Sequence, residues 1–401
     1  MFDEYNFDRE SPFEPGKPAS PELFIGRQKT MTKILRNVKK ATNGTTQHFF
    51  LTGKRRMGKT SIAKYVQKYV ENNFNMLGVY ISNKGNDSIE QLTSWIIEAI
   101  FNQLPHESMK DKVLTWFENH IESIDVKGTK LTFKPDKQLQ ISFKDNFQKF
   151  LTDIYYEEFS QKKGIFIIID DINGLSESKE FVDWYKRLAD TIAVTSNNKL
   201  PIYFLLAGYP EKFENLVQKE ESFGSIFNYD NIDALTDTEV ESFFIEIFKQ
   251  ENITISQEAL NHMVTFSSGL PLMMQQIGDS VFWETNDNLI TEDEAINGII
   301  NAANEIGIKQ IRPVLNQIKS ENYEPILEAL VENNMRLFKR SQVKDLMKNT
   351  SENVIKNFLY KMVDLGIFES VGHKSKGQYK FSNTLYYTYF LIKSIKDERK
   401  H

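Results

Sequence analysis

Short β-rich apolar runs alternate with stretches of helical period from Leu23 to about Asp233. The runs are His48–Thr52, Leu77–Ser82, Ile165–Asp170, Ile202–Ala207 and Tyr229–Ile232. Strands this apolar need cover on both faces, and their alternation with helices predicts an α/β domain built on a mostly parallel sheet. Residues 124–143, IDVKGTKLTFKPDKQLQISF, alternate apolar and polar positions on both sides of Lys134-Pro135-Asp136-Lys137, which predicts a β-hairpin inserted into that domain. From Thr236 to about Ile311 the strand patterns give way to successive helices, one opened by Thr291 with Glu294 three residues on, the spacing of a capping box. After Glu321 the pattern predicts helices over Pro325–Glu332, Arg340–Met347 and Ser351–Leu365, then short strands Phe368–Val371 and Gln378–Phe381 around His373–Gly377. Three helices and a hairpin describe a winged helix-turn-helix. Pro12, Pro15, Pro18 and Pro21 make the first residues an extended arm rather than a helix. The expected organisation is therefore an arm over 1–22, a sheet domain over 23–234 with the insert 124–143, a helical lid over 235–318 and a winged helix over 319–401.

A chain of 401 residues exceeds what one hydrophobic core usually serves, in keeping with that division. No apolar run approaches the roughly 18 residues of a membrane helix, so no membrane association is expected. Met1–Asp8 is acidic and aromatic, without the basic flank and apolar stretch of a secretory signal, and there is no cysteine to form a disulfide. A cytoplasmic location is the expectation. The net charge of −6 excludes a globally basic nucleic-acid coat but not a local patch. From Glu321 onward fourteen Lys and Arg stand against ten Asp and Glu, so the basic excess lies at the C-terminus.

The chemistry concentrates at two strand ends. Gly53-Lys54-Arg55-Arg56-Met57-Gly58-Lys59-Thr60 follows the strand His48–Thr52 and leads, through Ser61, into the helical pattern that reaches Tyr69. It fits G-x-x-x-x-G-K-[ST], the P-loop pattern. A triphosphate needs several converging backbone N–H donors, and glycines let the chain bend and approach closely enough to supply them. Lys59 adds a point charge at the β- and γ-phosphates, and the Thr60 hydroxyl is a Mg²⁺ ligand of the expected kind. The second strand, Ile165–Ile169, ends in Asp170-Asp171. Asp170 is expected to hold Mg²⁺ and Asp171 to orient or deprotonate the attacking water. Asn83-Lys84-Gly85-Asn86 resembles a guanine signature, but it ends in Asn and precedes the Asp-Asp strand, which favours adenine and hence ATP or ADP.

With the loop, the acid pair and the C-terminal pattern together, the chain resembles the AAA+ and STAND P-loop ATPases, in the prokaryotic branch that looks like archaeal origin-recognition initiators and archaeal-type ATPases. Phe24-Ile25-Gly26-Arg27-Gln28 is similar to the box that wraps the adenine in that family, Phe204–Pro210 to its fourth core strand, and Ser268-Gly269-Leu270-Pro271 to the GxP motif of its lid. The resemblance implies that Phe24, Ile25, Gly26, Arg27 and Pro271 join the nucleotide site. Two departures stand out: β-strand Ile202–Ala207 runs into Gly208-Tyr209 with no Asn, Thr or Arg as first sensor, and no arginine follows Pro271. Fewer groups on the γ-phosphate imply slow hydrolysis, a switch rather than a motor. Arg187 is the candidate for an arginine finger, set against a solvated helix face.

In Ser351–Leu365 the residues Val354, Ile355, Phe358, Leu359, Met362 and Val363 form an apolar face, leaving Asn353, Lys356, Asn357, Tyr360 and Lys361 largely opposite. Asn353, Lys356 and Asn357 could then enter a major groove, with Lys374 and Lys376 at the hairpin tip on phosphate. Two functions stay open: an ATP-dependent switch acting on double-stranded DNA, and a STAND-type signalling or defence scaffold whose winged helix binds a protein partner. A homo-oligomer is compatible with either.

Overall fold

A computed structural model of the chain describes residues 9–17, 24–42, 47–103, 137–194, 200–285, 287–316, 323–371, 377–382 and 384–398. Two compact units result, one of Pro18–Asp233 and one of Met1–Lys17 with Ala234–His401.

The first unit is built on five strands, β1 (His48–Gly53), β2 (Leu77–Ser82), β3 (Ile165–Asp170), β4 (Ile202–Gly208) and β5 (Phe227–Ile232). Their order is β2-β3-β4-β1-β5, and every neighbouring pair is parallel. The strands therefore follow the apolar runs to within two residues at either end. β1, β3 and β4 are buried along their whole length, as an interior parallel strand requires. Phe50, Ile167, Phe204 and Leu206 face one cluster, packed by the helices Ile89–Phe101, Lys137–Glu158 and Lys179–Val194. Phe49, Phe166, Ile168 and Leu205 are as deeply buried on the alternate positions, where the helix Lys59–Phe74 buries Ile62, Ala63 and Val66. Helices thus cover both faces.

The expected hairpin is corrected. Residues 124–136 lie outside the described residues, and 137–143 form the first turns of the helix Lys137–Glu158. Phe143, Phe147, Phe150, Leu151 and Ile154 are all buried at spacings of three and four, a helical face that continues well past the local alternation. Ile141, which a strand would place beside Phe143, is 48% exposed.

In the second unit the helices Asp237–Gln250, Gln257–Ser267, Pro271–Glu284 and Glu292–Ile306 follow one another, joined by a two-residue parallel ladder of β6 (Thr254–Ile255) and β7 (Leu289–Ile290). The capping box forms: Glu294 N–H donates to Thr291 Oγ1 at 3.4 Å and Thr291 N–H to Glu294 Oε2 at 2.9 Å. Residues 9–17 are docked here rather than trailing ahead of the fold. Phe13 is buried between Phe248 and Phe243, with ring centroids 5.0 and 6.0 Å away, and Arg9 lies 3.9 Å over the Phe282 ring while donating to Thr285 O at 2.6 Å. Beyond Tyr323 come the helix Tyr323–Glu332, β8 (Leu337–Lys339), the helices Arg340–Leu346 and Glu352–Asp364, β9 (Phe368–Ser370), β10 (Gln378–Phe381) and the helix Thr384–Glu398. The three strands form an antiparallel sheet in the order β8-β10-β9. Among the described residues no helix is long and apolar enough to cross a membrane.

Candidate nucleotide site

Strand order determines what meets at the carboxyl edge of the five-stranded sheet. β4 lies between β1 and β3, so the loop leaving β1, the acids ending β3 and the tip of β4 share one stretch of edge, where ligands of open α/β sheets bind. Gly53, Lys54, Arg55, Arg56, Met57, Gly58, Lys59, Thr60, Ser61, Asp170 and Asp171 all lie there.

Gly53 must be glycine for a packing reason. A Cβ on it would come within 2.6 Å of Ile232 Cγ1 and 2.8 Å of Ile232 O at the end of β5. The loop then turns through Arg56 and Gly58, with φ of 68° and 90°, and Gly58 becomes the N-cap of the helix Lys59–Phe74. No side chain caps that helix, so its first turn directs N–H groups and the positive end of its dipole at the loop. Lys59 Nζ donates to Gly53 O at 2.6 Å and Lys54 O at 3.0 Å, folded back across the loop. Burial lowers the Lys59 pKa, opposed by the charges of Asp170, Asp171 and Glu211.

Thr60 Oγ1 donates to Asp170 Oδ2 at 2.6 Å, and Tyr80 of β2 donates its hydroxyl to the same oxygen at 2.8 Å. Asp170 is buried, which leaves its other oxygen and the Thr60 hydroxyl as two hard oxygen donors at one point. That donor set fits Mg²⁺, which takes one or two protein oxygens and completes its shell with water and phosphate. Among the described residues there is no group of three or more His, Cys, Asp or Glu that could form an all-protein metal cage. Asp171 departs from β3 with φ 61°, a left-handed conformation that turns its carboxylate out of the strand line. Burial raises its pKa, with the Asp170 charge adding to the shift. Asn173 Oδ1 accepts the N–H of Tyr209 at 3.1 Å, fixing the tip of β4.

The box before the loop is also placed beside it. Phe24 packs on Tyr65 of the following helix at 5.1 Å between centroids, and Gly26 and Arg27 take left-handed φ of 88° and 59°. The Arg27 guanidinium donates to Met57 O at 3.3 Å and to Asp233 O, tying the loop to the end of the unit. Pro271 opens the helix Pro271–Glu284 in the second unit. Asn353, Lys356 and Asn357 are exposed on the helix Glu352–Asp364, opposite the buried Ile355, Phe358, Leu359 and Met362; Val363, expected on the apolar face, is 38% exposed. Lys374 and Lys376 lie outside the described residues. Arg187 is exposed on the helix Lys179–Val194. Sequence reasoning missed Tyr80 and Asn173. No local motif marks either, and only the register of β2 with β3 places Tyr80 two residues behind the Ser82–Asp170 pair.

The sequence model of the family described as Nephrocystin 3, N-terminal, matches residues 29–207, less than half of the chain. No curated protein matches the chain significantly. Among solved structures the chain is similar to the ORC2 protein of Aeropyrum pernix in its ADPNP-ADP complexes, with a TM-score of 0.54 and 11% identity over 99% of this chain and 98% of that one. It is likewise similar to the Walker-type ATPase of Pyrococcus abyssi, with a TM-score of 0.55 and 16% identity over 92% and 96% of the two chains. The resemblance to the archaeal ORC2 protein and to the Walker-type ATPase is therefore one of fold, and it runs along nearly the whole chain.

Proposed function

We propose that the chain is an ATP-binding, slowly hydrolysing P-loop ATPase that works as a nucleotide-dependent switch on its C-terminal domain. One observation carries the reading: Lys59, Thr60 and Asp170 meet where an uncapped helix N-terminus faces the carboxyl edge of a parallel sheet. Backbone N–H groups from Lys54 to Ser61 cradle the phosphates, and Lys59 exchanges its loop carbonyls for β- and γ-phosphate oxygens. Thr60 and Asp170 would hold Mg²⁺, which would offset the negative charge of the phosphates. Asp171 orients the attacking water. Phe24, Ile25, Gly26 and Arg27 flank the base side, and Pro271 belongs to the lid that responds to the nucleotide.

The C-terminal order helix, strand, helix, helix, strand, strand supports a winged helix over 319–401, with Asn353, Lys356 and Asn357 on its exposed helix face and Lys374 and Lys376 between β9 and β10. On this reading the domain engages double-stranded DNA. A specific observation favours the second reading, a scaffold whose winged helix binds protein. The same exposed face carries Tyr360 at 76% and Val363 at 38% exposure, Lys361 is paired with Asp364 at 2.8 Å, and Arg340 lies 3.8 Å from Glu352. Apolar exposure with partly neutralised cations suits a protein partner better than a phosphate backbone.

Steady-state ATP turnover at fixed moderate salt, with and without duplex DNA and corrected with Lys59→Ala, tests the reading. Slow turnover stimulated by DNA supports the DNA-acting switch. Slow turnover indifferent to DNA supports the scaffold, and turnover no greater than that of Lys59→Ala removes the ATPase.

A further inference from the structure

In the second unit the helices Pro271–Glu284 and Glu292–Ile306 pack closely at Gly298, where a Cβ would lie 2.5 Å from Val281 Cγ2. Both helices, with Pro15 of the docked N-terminal segment, line a groove of about 480 Å³. Gln276, Asp279 and Trp283 line it at spacings of three and four, one stripe of the first helix, and Glu305 borders it from the second.

The groove is acidic and aromatic at once. Asp279, Glu284 and Glu305 line it against a single cation, Lys309, which is itself paired with Glu305. Glu284 accepts from the neutral amide of Asn301 at 2.7 Å, a contact that does not neutralise it, and Asp279 has no partner among the described residues. Trp283 is 52% exposed, so its indole is open to a ligand. A second observation points to an occupant: Gln276 is only 9% exposed, yet its side chain lines the groove with no hydrogen-bond partner among the described residues. A buried amide without a partner is costly, and a polar group entering the groove supplies one.

Carboxylates, an indole and an unpaired amide together match a guanidinium, which is planar, lies on aromatic faces and donates to several oxygens at once. The same helix and its C-cap already hold one in this manner, Arg9 lying 3.9 Å over Phe282 and donating to Thr285 O at 2.6 Å. From Leu272 to Trp283 the groove follows eleven residues of helix, about 17 Å, which is the length of about five residues of extended chain. That is the span of a peptide rather than of a lone cation.

We infer that this groove docks an extended, arginine-bearing segment of a protein partner, one guanidinium lying on Trp283 against Asp279 while Gln276 pairs with the segment's polar groups. None of these residues belongs to the nucleotide site or to the exposed face of the helix Glu352–Asp364, so the inference depends on neither reading above.

Fluorescence anisotropy of a labelled peptide, three repeats of Gly-Arg-Gly, titrated with the full chain at fixed moderate salt tests it. Trp283→Ala is expected to weaken binding about tenfold, and Trp283→Phe, which keeps an aromatic face, to restore most of it. Gln276→Leu should cost about threefold or more, and Asp279→Asn about tenfold, whereas Asp190→Asn, an exposed acid of the other unit, should leave affinity unchanged. Trp283→Ala and Gln276→Leu leave the net charge as it is, so they separate a built site from a diffuse acidic surface. Binding that is indifferent to both, or that falls as much in Asp190→Asn as in Asp279→Asn, overturns the inference, as does no binding up to about 1 mM peptide, the weak end of specific affinity. Spermidine that displaces the peptide at equal concentration of positive charge would give the groove to a free polyamine and overturn the peptide assignment.

Discussion

Lys59 and Asp171 separate binding from chemistry at the level of single side chains. Lys59 is drawn inward, onto Gly53 O and Lys54 O, and burial, which a triphosphate would offset, lowers its pKa. Lys59→Ala is expected to weaken nucleotide binding at least about 100-fold, the scale of two charge-assisted contacts; calorimetric affinity at the wild-type level would remove the loop from the site. Asp171→Asn keeps the size and left-handed backbone of the residue but cannot accept a proton. Nucleotide affinity should stay within about threefold of wild type while single-turnover hydrolysis slows roughly 100-fold or more, the usual worth of a positioned base. Unchanged hydrolysis would mean the water is oriented elsewhere. The loop and the acid pair could be read from sequence because each is a short run whose chemistry is complete in itself. Tyr80 and Asn173 could not, since each gains its role through a partner far off in the sequence: Asp170 lies 90 positions from Tyr80, and Tyr209 36 positions from Asn173.

Within elements, period and burial decide what was legible. Ile165–Ile169 is apolar at every position and could be only an interior strand or a buried helix segment, with length deciding for the strand. The stretch 137–143 misled because three apolar residues in alternation satisfy a period of two before the helical face headed by Phe143 is long enough to register. Phe13 misled differently: four nearby prolines speak against a helix, but say nothing of one aromatic anchored in a pocket floored by Gly278, where a Cβ would come within 2.2 Å of the Phe13 ring. Phe13→Ala should destabilise the second unit by about 3 kcal/mol, the cost of an emptied aromatic site, and open the chain to trypsin after Arg9. Unaltered unfolding and cleavage would show the anchor to be idle. β1 carries a further testable group. His48 is fully buried, its Nδ1 accepts the Phe204 N–H at 3.1 Å, and burial holds its pKa down to about 3. The unfolded chain, with a pKa of about 6.5, binds the proton more tightly, so stability is full above that value and falls as pH drops towards 3. Between pH 7 and pH 5 this group alone should remove about 2 kcal/mol, at about 1.4 kcal/mol per pH unit once below its unfolded pKa. His48→Gln, compared by urea unfolding at both pH values, should lose that much less than wild type; an equal loss would place the acid sensitivity in other groups.

At the scale of the whole molecule the question is whether nucleotide and the C-terminal domain speak to each other through DNA or through protein. The sequence could suggest the domain from three helices and a hairpin, yet a net excess of about four positive charges is too small to choose its partner. Salt dependence chooses more sharply, because each lysine that neutralises a phosphate releases counterions and adds about 0.9 to the slope of log affinity against log salt. Lys356, Lys374 and Lys376 replaced together by Ala should therefore weaken binding to duplex DNA and flatten that slope by about 2 to 3, while ATP affinity stays unchanged. If ATP shifts the chain towards the state that holds DNA, the reverse must also hold: duplex DNA should tighten ATP binding by the same factor by which ATP tightens DNA binding. Fluorescence titrations of each ligand in the presence of the other measure both factors. Equal factors greater than one, abolished in Lys59→Ala and reduced in the triple-lysine variant, join the two sites in one switch. Factors of one with an unaltered salt slope would leave the exposed Tyr360 and Val363 face as the working surface and turn the search towards a protein partner.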